Sequence, residues 1–327
     1  MSAPEIRIDQ LTGLRTILAP GRADRPEGFS PAASELKGPD SCPFCEGREE
    51  RTPPEVYATR PAGGAADAPG WTTRVVPNLY PALGHGEESD RVPPELFVSR
   101  PARGAHEVIV NAPEHVTAMA ELSEERVAGA VATWRERMRA HRDAAYVQLI
   151  VNEGGGAGAS LEHTHAQLYA LPFVPATVAR ERERVGAYRE RNNGNGLLSD
   201  VLVEEVRRKE RLVAIDEEAA LICPWASRSP YELRIVPRRE SARFEDDEVG
   251  AAMLRTALRA LAERFGTPPE LNLWVRTAPH DAEHFHWHID IAPRLTIKAG
   301  FELGTGVDIN VYPPERAAAD LREVLGG

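Results

Sequence analysis

Residues 146–167 read YVQLIVNEGGGAGASLEHTHAQ, and this stretch decides the fold. A strand candidate runs into a glycine-rich loop, and the loop runs into His163 and His165. An amphipathic helix is predicted just before it, at residues 123–144, and an earlier apolar strand candidate begins at His106. The order is therefore strand, helix, strand and histidine pair.

The same order recurs nearer the C-terminus. Residues 231–237 form a strand candidate, residues 246–265 a helix, and residues 271–276 a second strand candidate, which leads to His284, His286 and His288. A unit with one free apolar face gains stability by pairing with its copy. The repeat therefore predicts an α+β fold in two related halves, with antiparallel sheets and packed helices. We place the halves at residues 1–188 and 189–327, divided where charge and turn formers are concentrated.

The composition limits the classes of function. With 42% hydrophobic residues in a chain of 327, a sizeable core can be buried. The formal net charge of −11 disfavours nonspecific binding to nucleic acid or to an anionic membrane, so a phosphate substrate must meet local positive charge. The sequence has no run of eighteen consecutive apolar residues and no apolar targeting segment after Met1, and we expect a cytoplasmic protein.

Two of the three cysteines stand as Cys42-Pro-Phe-Cys45. In a reducing compartment this spacing indicates metal binding or redox chemistry more than a disulfide. Both remain open, although no thioredoxin-like pattern surrounds the pair. Cys223 is interpreted as a buried apolar residue.

The first histidine pair follows a loop suited to an anion. Residues 154–158 contain four glycines, which let backbone N–H groups approach a phosphate, and Ser160 adds a hydroxyl donor. On a strand, His163 and His165 would share one face about 6 to 7 Å apart, with Gln167 next along it. A neutral imidazole in such a site can attack phosphorus and form a labile phosphoramidate. The alternative is a glycine loop followed by two histidines with structural roles.

The run His163-Thr-His165-Ala-Gln167, followed by Leu-Tyr-Ala-Leu-Pro172, resembles the active-site signature of the galactose-1-phosphate uridylyltransferases, a branch of the histidine triad superfamily. The two halves are accordingly expected to be histidine-triad-like. The resemblance implies that His165 is the nucleophile and that His163 is a zinc ligand. Gln167 and Ser160 are expected to donate hydrogen bonds to the phosphoryl oxygens.

The other zinc ligands implied by the resemblance are Cys42, Cys45 and His115. A set of two cysteines and two histidines is tetrahedral and has no open position, so the zinc would be structural. It would tie the N-terminal segment to the strand that carries His165.

A second metal, zinc or iron, is often present in the family. The resemblance places its ligands at Glu181, His280, His286 and His288. Glu181 lies in an Arg-Glu-Arg-Glu-Arg run that is also typical of a solvated helix face, and His284 competes as a ligand.

Further segments resemble the substrate-binding parts of the family. Near the N-terminus stands an arginine pair whose guanidinium groups match phosphate oxygens, and residues 75–82 resemble the nucleoside-binding stretch. Residues 298–302 resemble the sugar-binding segment. The alternative for the arginine pair is an exposed basic loop, and the alternative for Glu302 is a plain turn glutamate. The implied substrate-binding residues are Arg22, Arg25, Asn78, Asn152, Gly158, Lys298 and Glu302.

The resemblance implies ping-pong uridylyl transfer between UDP-glucose and a hexose 1-phosphate, in galactose metabolism, through a covalent nucleotidyl-histidine and in a homodimer. Thr164 and Ala166 stand where the best-known members have Pro and Gly, and Phe301 replaces a tyrosine. The segment after Phe301 looks more like divergent relatives that include nucleoside-diphosphate-sugar phosphorylases. A phosphorylase or hydrolase, for example of ADP-glucose, is therefore the alternative. A noncatalytic zinc-stabilised binding protein is a third.

Overall fold

The structure is a computed structural model, and it describes residues 5–8, 15–18, 38–84 and 96–326. Arg22 and Arg25 lie outside the described residues. Within this part of the chain the helices are α1 (Glu124–Ala140), α2 (Ala176–Arg191), α3 (Leu197–Arg208), α4 (Ala251–Phe265), α5 (Gly300–Thr305) and α6 (Pro314–Gly326). The strands are β1 (Glu5–Ile8), β2 (Arg15–Leu18), β3 (Tyr57–Thr59), β4 (Thr73–Pro77), β5 (Ser99–Pro101), β6 (Ala105–Val110), β7 (Tyr146–Glu153), β8 (His165–Leu171), β9 (Leu212–Ile215), β10 (Ala219–Ile222), β11 (Leu233–Pro237), β12 (Leu271–Arg276) and β13 (His288–Pro293).

A ten-stranded sheet forms the centre of the protein. Its strand order is β3-β4-β6-β8-β7-β12-β13-β11-β10-β9, and the neighbouring strands are antiparallel. A smaller sheet has the order β2-β1-β5. The predicted α+β class with antiparallel sheets is confirmed. Among the helices of the described residues, none has the length and apolar character needed to cross a membrane.

The predicted repeat appears in the order of the elements. In the first half β6, α1, β7 and β8 follow one another, and in the second half β11, α4, β12 and β13 do so. The two copies meet where β7 pairs with β12, so one sheet continues across the duplication. Residue 188 falls inside α2, which continues to Arg191, and the division at residues 188 and 189 stays a prediction.

The main core lies between one face of this sheet and helices α1, α4 and α6. Trp134 of α1 and Leu258 of α4 are buried there against Leu149 and Leu168 of the sheet. Because side chains alternate along a strand, the residues on either side of Leu168 face away from the helices. The opposite face of the sheet is therefore where the histidine-bearing strands present their polar side chains.

The helix ends follow the sequence at some points and depart from it at others. Ser123 caps α1, since its side chain accepts a hydrogen bond from the backbone N–H of Arg126 at 3.2 Å. The helix α4 begins at Ala251 and not at residue 246. The buried Arg135 guanidinium binds the backbone carbonyls of residues 244, 248 and 249, which holds that segment outside the helix.

Candidate active site

His165 is the first residue of β8, on the sheet face away from α1, and it lines a cavity of about 360 Å³. The side chain is 5% exposed. Gln167, two residues further along β8, lines the same cavity, and so do Ser160 from the preceding loop and Asn78 from the end of β4. The ring of Phe44 meets the His165 ring edge-on at 5.2 Å. The structure thus brings the three predicted catalytic side chains and one predicted substrate contact to a single cavity.

The backbone fixes the tautomer of His165. Its Nδ1 lies 2.8 Å from the carbonyl oxygen of His163. A carbonyl can only accept a hydrogen bond, so Nδ1 carries the proton and Nε2 carries the lone pair. An imidazole in this form is a nucleophile at Nε2.

Four predicted ligands form one cluster. The ligand atoms of Cys42, Cys45, His115 and His163 all lie within 4.8 Å of one another. The Sγ of Cys45 is 3.4 Å from His115 Nδ1 and 3.7 Å from His163 Nδ1, and the Sγ of Cys42 is 3.6 Å from His163 Nδ1. A tetrahedral site with bonds of about 2.0 to 2.3 Å has edges of about 3.3 to 3.8 Å. These four residues could therefore hold a metal ion.

The electrostatics of the cluster also suit a cation. Burial lowers the pKa of His163 to about 4, which keeps the ring neutral, as a metal ligand must be. Its Nε2–H donates to the carbonyl of Ala112 at 2.8 Å, which leaves Nδ1 for the metal. Burial, together with the neighbouring Cys42, raises the pKa of Cys45 to about 11. A thiolate at Cys45 is consequently favourable only beside a positive ion.

The glycine-rich loop uses part of its backbone for its own turn. The N–H of Gly158 bonds to a carbonyl within the loop, and that of Gly156 lies 3.1 Å from each carboxylate oxygen of Glu270. Gly154 and Gly158 have positive φ angles of 85° and 86°, a conformation that favours glycine. The amides of Gly156 and Gly158 thus have partners within the protein, and a contact between Gly158 and substrate stays a prediction. Ser160, the hydroxyl donor predicted just after the glycines, lines the cavity.

Asn152 lies on β7, the strand beside β8. Its Oδ1 accepts a hydrogen bond of 2.8 Å from the side chain of Asn272 on β12, and Asn272 also donates to the carbonyl of Ala157 in the glycine-rich loop at 2.8 Å. The structure therefore gives Asn152 a place at the junction of the two halves. A contact between Asn152 and substrate stays a prediction.

His106 is a site residue that the sequence reasoning missed. It lies on β6 behind the cavity, is 4% exposed, and its Nε2 is 3.1 Å from Gln167 Oε1 and 3.1 Å from Asn78 Nδ2. Because it is a single histidine at the start of an apolar strand, no spacing distinguished it. Its contact with two predicted site residues became visible only when β6 was paired with β8.

The second predicted metal set does not assemble in the described part of the chain. Glu181 and His288 approach to 3.8 Å, but both ring nitrogens of His286 are engaged elsewhere, and His280 is exposed. The Nε of Arg276 lies 3.5 Å from Glu181, and a guanidinium there opposes a divalent cation. Among the described residues the structure thus brings only Glu181 and His288 of this set close together, and a metal bound by Glu181, His280, His286 and His288 stays a prediction.

Lys298 and Glu302 lie away from the His165 cavity within this chain. They line a separate cavity of about 440 Å³ that also contains Trp274. The Nζ of Lys298 is 2.6 Å from Asp308, and the Glu302 carboxylate accepts the backbone N–H of Ala299 at 3.0 Å. The structure does not bring these two side chains to His165.

Comparison with known proteins identifies the family of this chain. A model of the galactose-1-phosphate uridyl transferase N-terminal domain matches residues 1–175, and a domain of unknown function, DUF4921, matches residues 103–325. The ADP-glucose phosphorylase of Arabidopsis thaliana is 32% identical over 98% of this chain and 93% of its own length.

Solved structures also cover nearly the whole chain. A uridylyltransferase mutant has a TM-score of 0.80 at 26% identity and covers 98% of each chain. An ADP-glucose phosphorylase from Arabidopsis thaliana with bound ADP-glucose has a TM-score of 0.75 at 29% identity and covers 98% of this chain and 99% of its own. This chain therefore belongs to the galactose-1-phosphate uridylyltransferase family and is an enzyme of the nucleotidyltransferase class.

Proposed function

We propose that the protein transfers a nucleotidyl group from a nucleoside diphosphate sugar through a covalent intermediate on His165. The observation that carries the proposal is the hydrogen bond from His165 Nδ1 to the His163 carbonyl, which leaves the lone pair on Nε2 beside the cavity. Nε2 attacks the α-phosphorus, a nitrogen–phosphorus bond forms, and the bond to the departing sugar 1-phosphate breaks. Gln167 and Ser160 donate hydrogen bonds to the phosphoryl oxygens as negative charge grows there.

The second half-reaction regenerates His165. We propose inorganic phosphate as the acceptor and ADP-glucose as the donor, so that the products are ADP and glucose 1-phosphate. The relative named ADP-glucose phosphorylase, which aligns along almost the whole chain, supports this choice. The second candidate acceptor is a hexose 1-phosphate such as galactose 1-phosphate with UDP-glucose as donor, and the uridylyltransferase structure supports it.

The metal of the Cys42, Cys45, His115 and His163 cluster is proposed to be zinc. Two thiolates and two imidazoles form a borderline-soft tetrahedral set, which zinc prefers. The ion would join the segment around Cys42 to the strand of His165 and keep that strand in place. All four positions are filled by protein, so the zinc has no part in the chemistry. Thiolate ligands persist in a reducing compartment, and we place the enzyme in the cytoplasm.

The protein is proposed to act as a homodimer. Apolar side chains along the segment that contains Lys298 and Glu302 are exposed, including Ile297 at 91% and Leu303 at 75%. A second copy would cover this apolar surface. In such a dimer Lys298 and Glu302 could approach a sugar held at the partner's cavity.

Intact-protein mass spectrometry tests the proposed function. The wild-type protein is mixed with ADP-glucose or UDP-glucose without an acceptor, and the expected result is an added mass of one nucleoside monophosphate. Phosphate or galactose 1-phosphate is then offered, and the acceptor that removes the added mass identifies the second half-reaction. A noncatalytic binding protein would show no covalent mass with either sugar, and that result would contradict the proposal.

A further inference from the structure

His106 is placed to control the orientation of Gln167. The two residues lie on neighbouring strands, since His106 pairs with Tyr169 in the register of β6 and β8. The His106 and Tyr169 rings are stacked, with centroids 4.1 Å apart and planes inclined by 23°. His106 is therefore held on one side by an aromatic ring and reaches Gln167 with its edge.

The backbone decides which nitrogen of His106 carries the proton. The N–H of Ala82 donates to Nδ1 at 3.1 Å. A backbone N–H cannot accept, so Nδ1 must carry the lone pair, and the proton of the neutral ring is on Nε2. This Nε2–H then donates to Gln167 Oε1, which lies 3.1 Å away and can only accept.

The oxygen of Gln167 has a second donor. The hydroxyl of Tyr169 donates to the same Oε1 at 3.1 Å. Because two donors bind its oxygen, the orientation of the planar Gln167 carboxamide is fixed. The amide nitrogen therefore lies on the side away from His106 and Tyr169. Gln167 lines the cavity of His165, so the amide presents N–H donors to whatever occupies that cavity.

The orientation of the Asn78 carboxamide is also fixed by a hydrogen bond to its oxygen. Its Oδ1 accepts the backbone N–H of Tyr80 at 2.9 Å. Its Nδ2 lies 3.1 Å from His106 Nε2, and because both nitrogens carry protons in this tautomer they form no hydrogen bond with each other. Asn78 also lines the cavity of His165, where its side-chain amide is a hydrogen-bond donor.

We propose that His106 is a positioning residue, whose Nε2–H fixes the Gln167 carboxamide with its nitrogen toward the phosphoryl group at His165. The proposal rests on the nucleotidyl-transfer function proposed above. Without this donor the carboxamide can rotate and present its oxygen, which would repel the phosphoryl oxygens in the transition state. The site then keeps its shape but loses a correctly directed donor.

Two substitutions test the role of the donor. His106→Phe keeps a ring against Tyr169 and removes the Nε2–H, whereas His106→Gln supplies an N–H at a similar reach. His106→Phe should slow single-turnover formation of the nucleotidyl-enzyme by about 10- to 100-fold, with the Kd of the nucleotide sugar changed by less than about threefold. His106→Gln should recover most of the rate. His141→Phe, which removes a histidine that binds Glu107 outside the cavity, is the matched control.

A double-mutant cycle separates positioning from a general effect on folding. If His106 acts through Gln167, then His106→Phe has no further effect on the rate in a Gln167→Ala background. Equal slowing in both backgrounds would overturn the proposal, because it would show an effect that does not pass through Gln167.

A measurement without substrate keeps this inference distinct from the proposed function. Nitrogen NMR of protein with isotope-labelled histidine reports the tautomer, and the signal absent from His106→Phe belongs to His106. We expect a lone pair on Nδ1 and a proton on Nε2. The opposite tautomer would overturn the positioning role even if nucleotidyl transfer occurs. A wild-type protein that forms no nucleotidyl-enzyme would refute the proposed function, while the tautomer would still decide the inference about His106.

Discussion

His163 and His286 occupy matching places in the two halves, each two residues before the histidine that begins a strand. Each has its Nε2 directed at a backbone carbonyl, that of Ala112 at 2.8 Å in the first half and that of Pro237 at 2.9 Å in the second. The difference lies at the other nitrogen. Nδ1 of His163 faces the two cysteines, whereas Nδ1 of His286 lies 3.3 Å from the Ser199 hydroxyl. The same backbone therefore places one histidine in a cluster that could hold a metal ion and gives the other an ordinary hydrogen bond.

The histidines that begin the strands differ in the same way. His165 and His288 both direct Nδ1 at the carbonyl two residues earlier. His165 borders a cavity, but His288 Nε2 lies 3.6 Å from Asp290 and 3.8 Å from Glu181. Burial, together with the nearby Arg234, lowers the pKa of His288 to about 3. The duplicated fold thus sets the tautomer of both histidines, and the surrounding side chains decide which one can do chemistry.

The largest expected effect comes from substituting each of the two histidines that begin a strand. His165→Gly should abolish formation of the nucleotidyl-enzyme, since it removes the Nε2 nucleophile. His288→Asn should retain it, because His288 is enclosed by charged side chains. The measurement is the covalent mass after mixing with a nucleotide sugar, normalised to folded protein. A dependence on His288 as strong as that on His165 would break the comparison between the halves.

The metal cluster gives the next largest effect. Cys42→Ser should remove about one equivalent of metal and lower stability by several kcal/mol, because binding energy of such a site is folding energy. His286→Gln should leave the metal content unchanged. Elemental analysis and thermal unfolding of both variants provide the measurement, and equal metal in wild type and Cys42→Ser would show that the ligands lie elsewhere.

The ion pair of the second half should contribute to stability without contributing to chemistry. Arg234 Nε lies 2.7 Å from the buried Asp290 carboxylate. Burial alone would raise the pKa of Asp290, but Arg234, His288 and Arg276 together hold this pKa below its usual range. Arg234→Met leaves the carboxylate without its partner and should cost about 3 kcal/mol in denaturant unfolding, and adding Asp290→Leu should restore most of this. Loss of nucleotidyl transfer in the double variant would assign the second half a part in the reaction.

The last effect is restricted to a window of pH and concerns a buried carboxyl group of the first half. Glu153 accepts the backbone N–H of Met119 at 2.7 Å, and burial raises its pKa from 4.5 to about 7. A raised pKa means that the folded state binds the proton more tightly. Its contribution to stability is full below the unfolded value and is lost as the pH rises toward about 7, by about 3 kcal/mol in total.

Glu153→Gln should remove this decrease. Unfolding of both proteins in denaturant between the two pKa values is the measurement. At the corresponding place in the second half, the backbone N–H of Phe244 donates to the uncharged Thr277 hydroxyl at 3.1 Å. Thr277→Val is thus the control, with a pH dependence like that of the wild type. Parallel pH profiles for wild type and Glu153→Gln would show that Glu153 is ionised in the folded protein.

Much of the fold and the first cluster could be predicted because their information is local. Alternation along one strand puts His165 and Gln167 on one face. Two intervening residues allow Cys42 and Cys45 to bind one ion. The repeat of strand, helix, strand and histidines identified the duplication, since each element has its own hydrophobic period.

The remaining features depend on partners that are distant in sequence. Arg276 reaches Glu181 from another element, and this contact, which opposes a second metal, leaves no mark on the histidine spacing. The Glu270 carboxylate of the second half accepts a hydrogen bond from the backbone N–H of Gly156 in the first half. His106 acquires its significance from the register of β6 and β8, which the sequence of one strand does not contain.

The central claim is that His165 Nε2 bonds to phosphorus, and phosphorus NMR of the trapped enzyme tests it most directly. The protein is labelled with isotopic nitrogen in histidine and mixed with ADP-glucose in the absence of phosphate. The account predicts a phosphorus–nitrogen coupling to Nε2 of one histidine, which is absent in His165→Gly. A phosphorus signal bonded to Nδ1, or one that persists in His165→Gly, would contradict it.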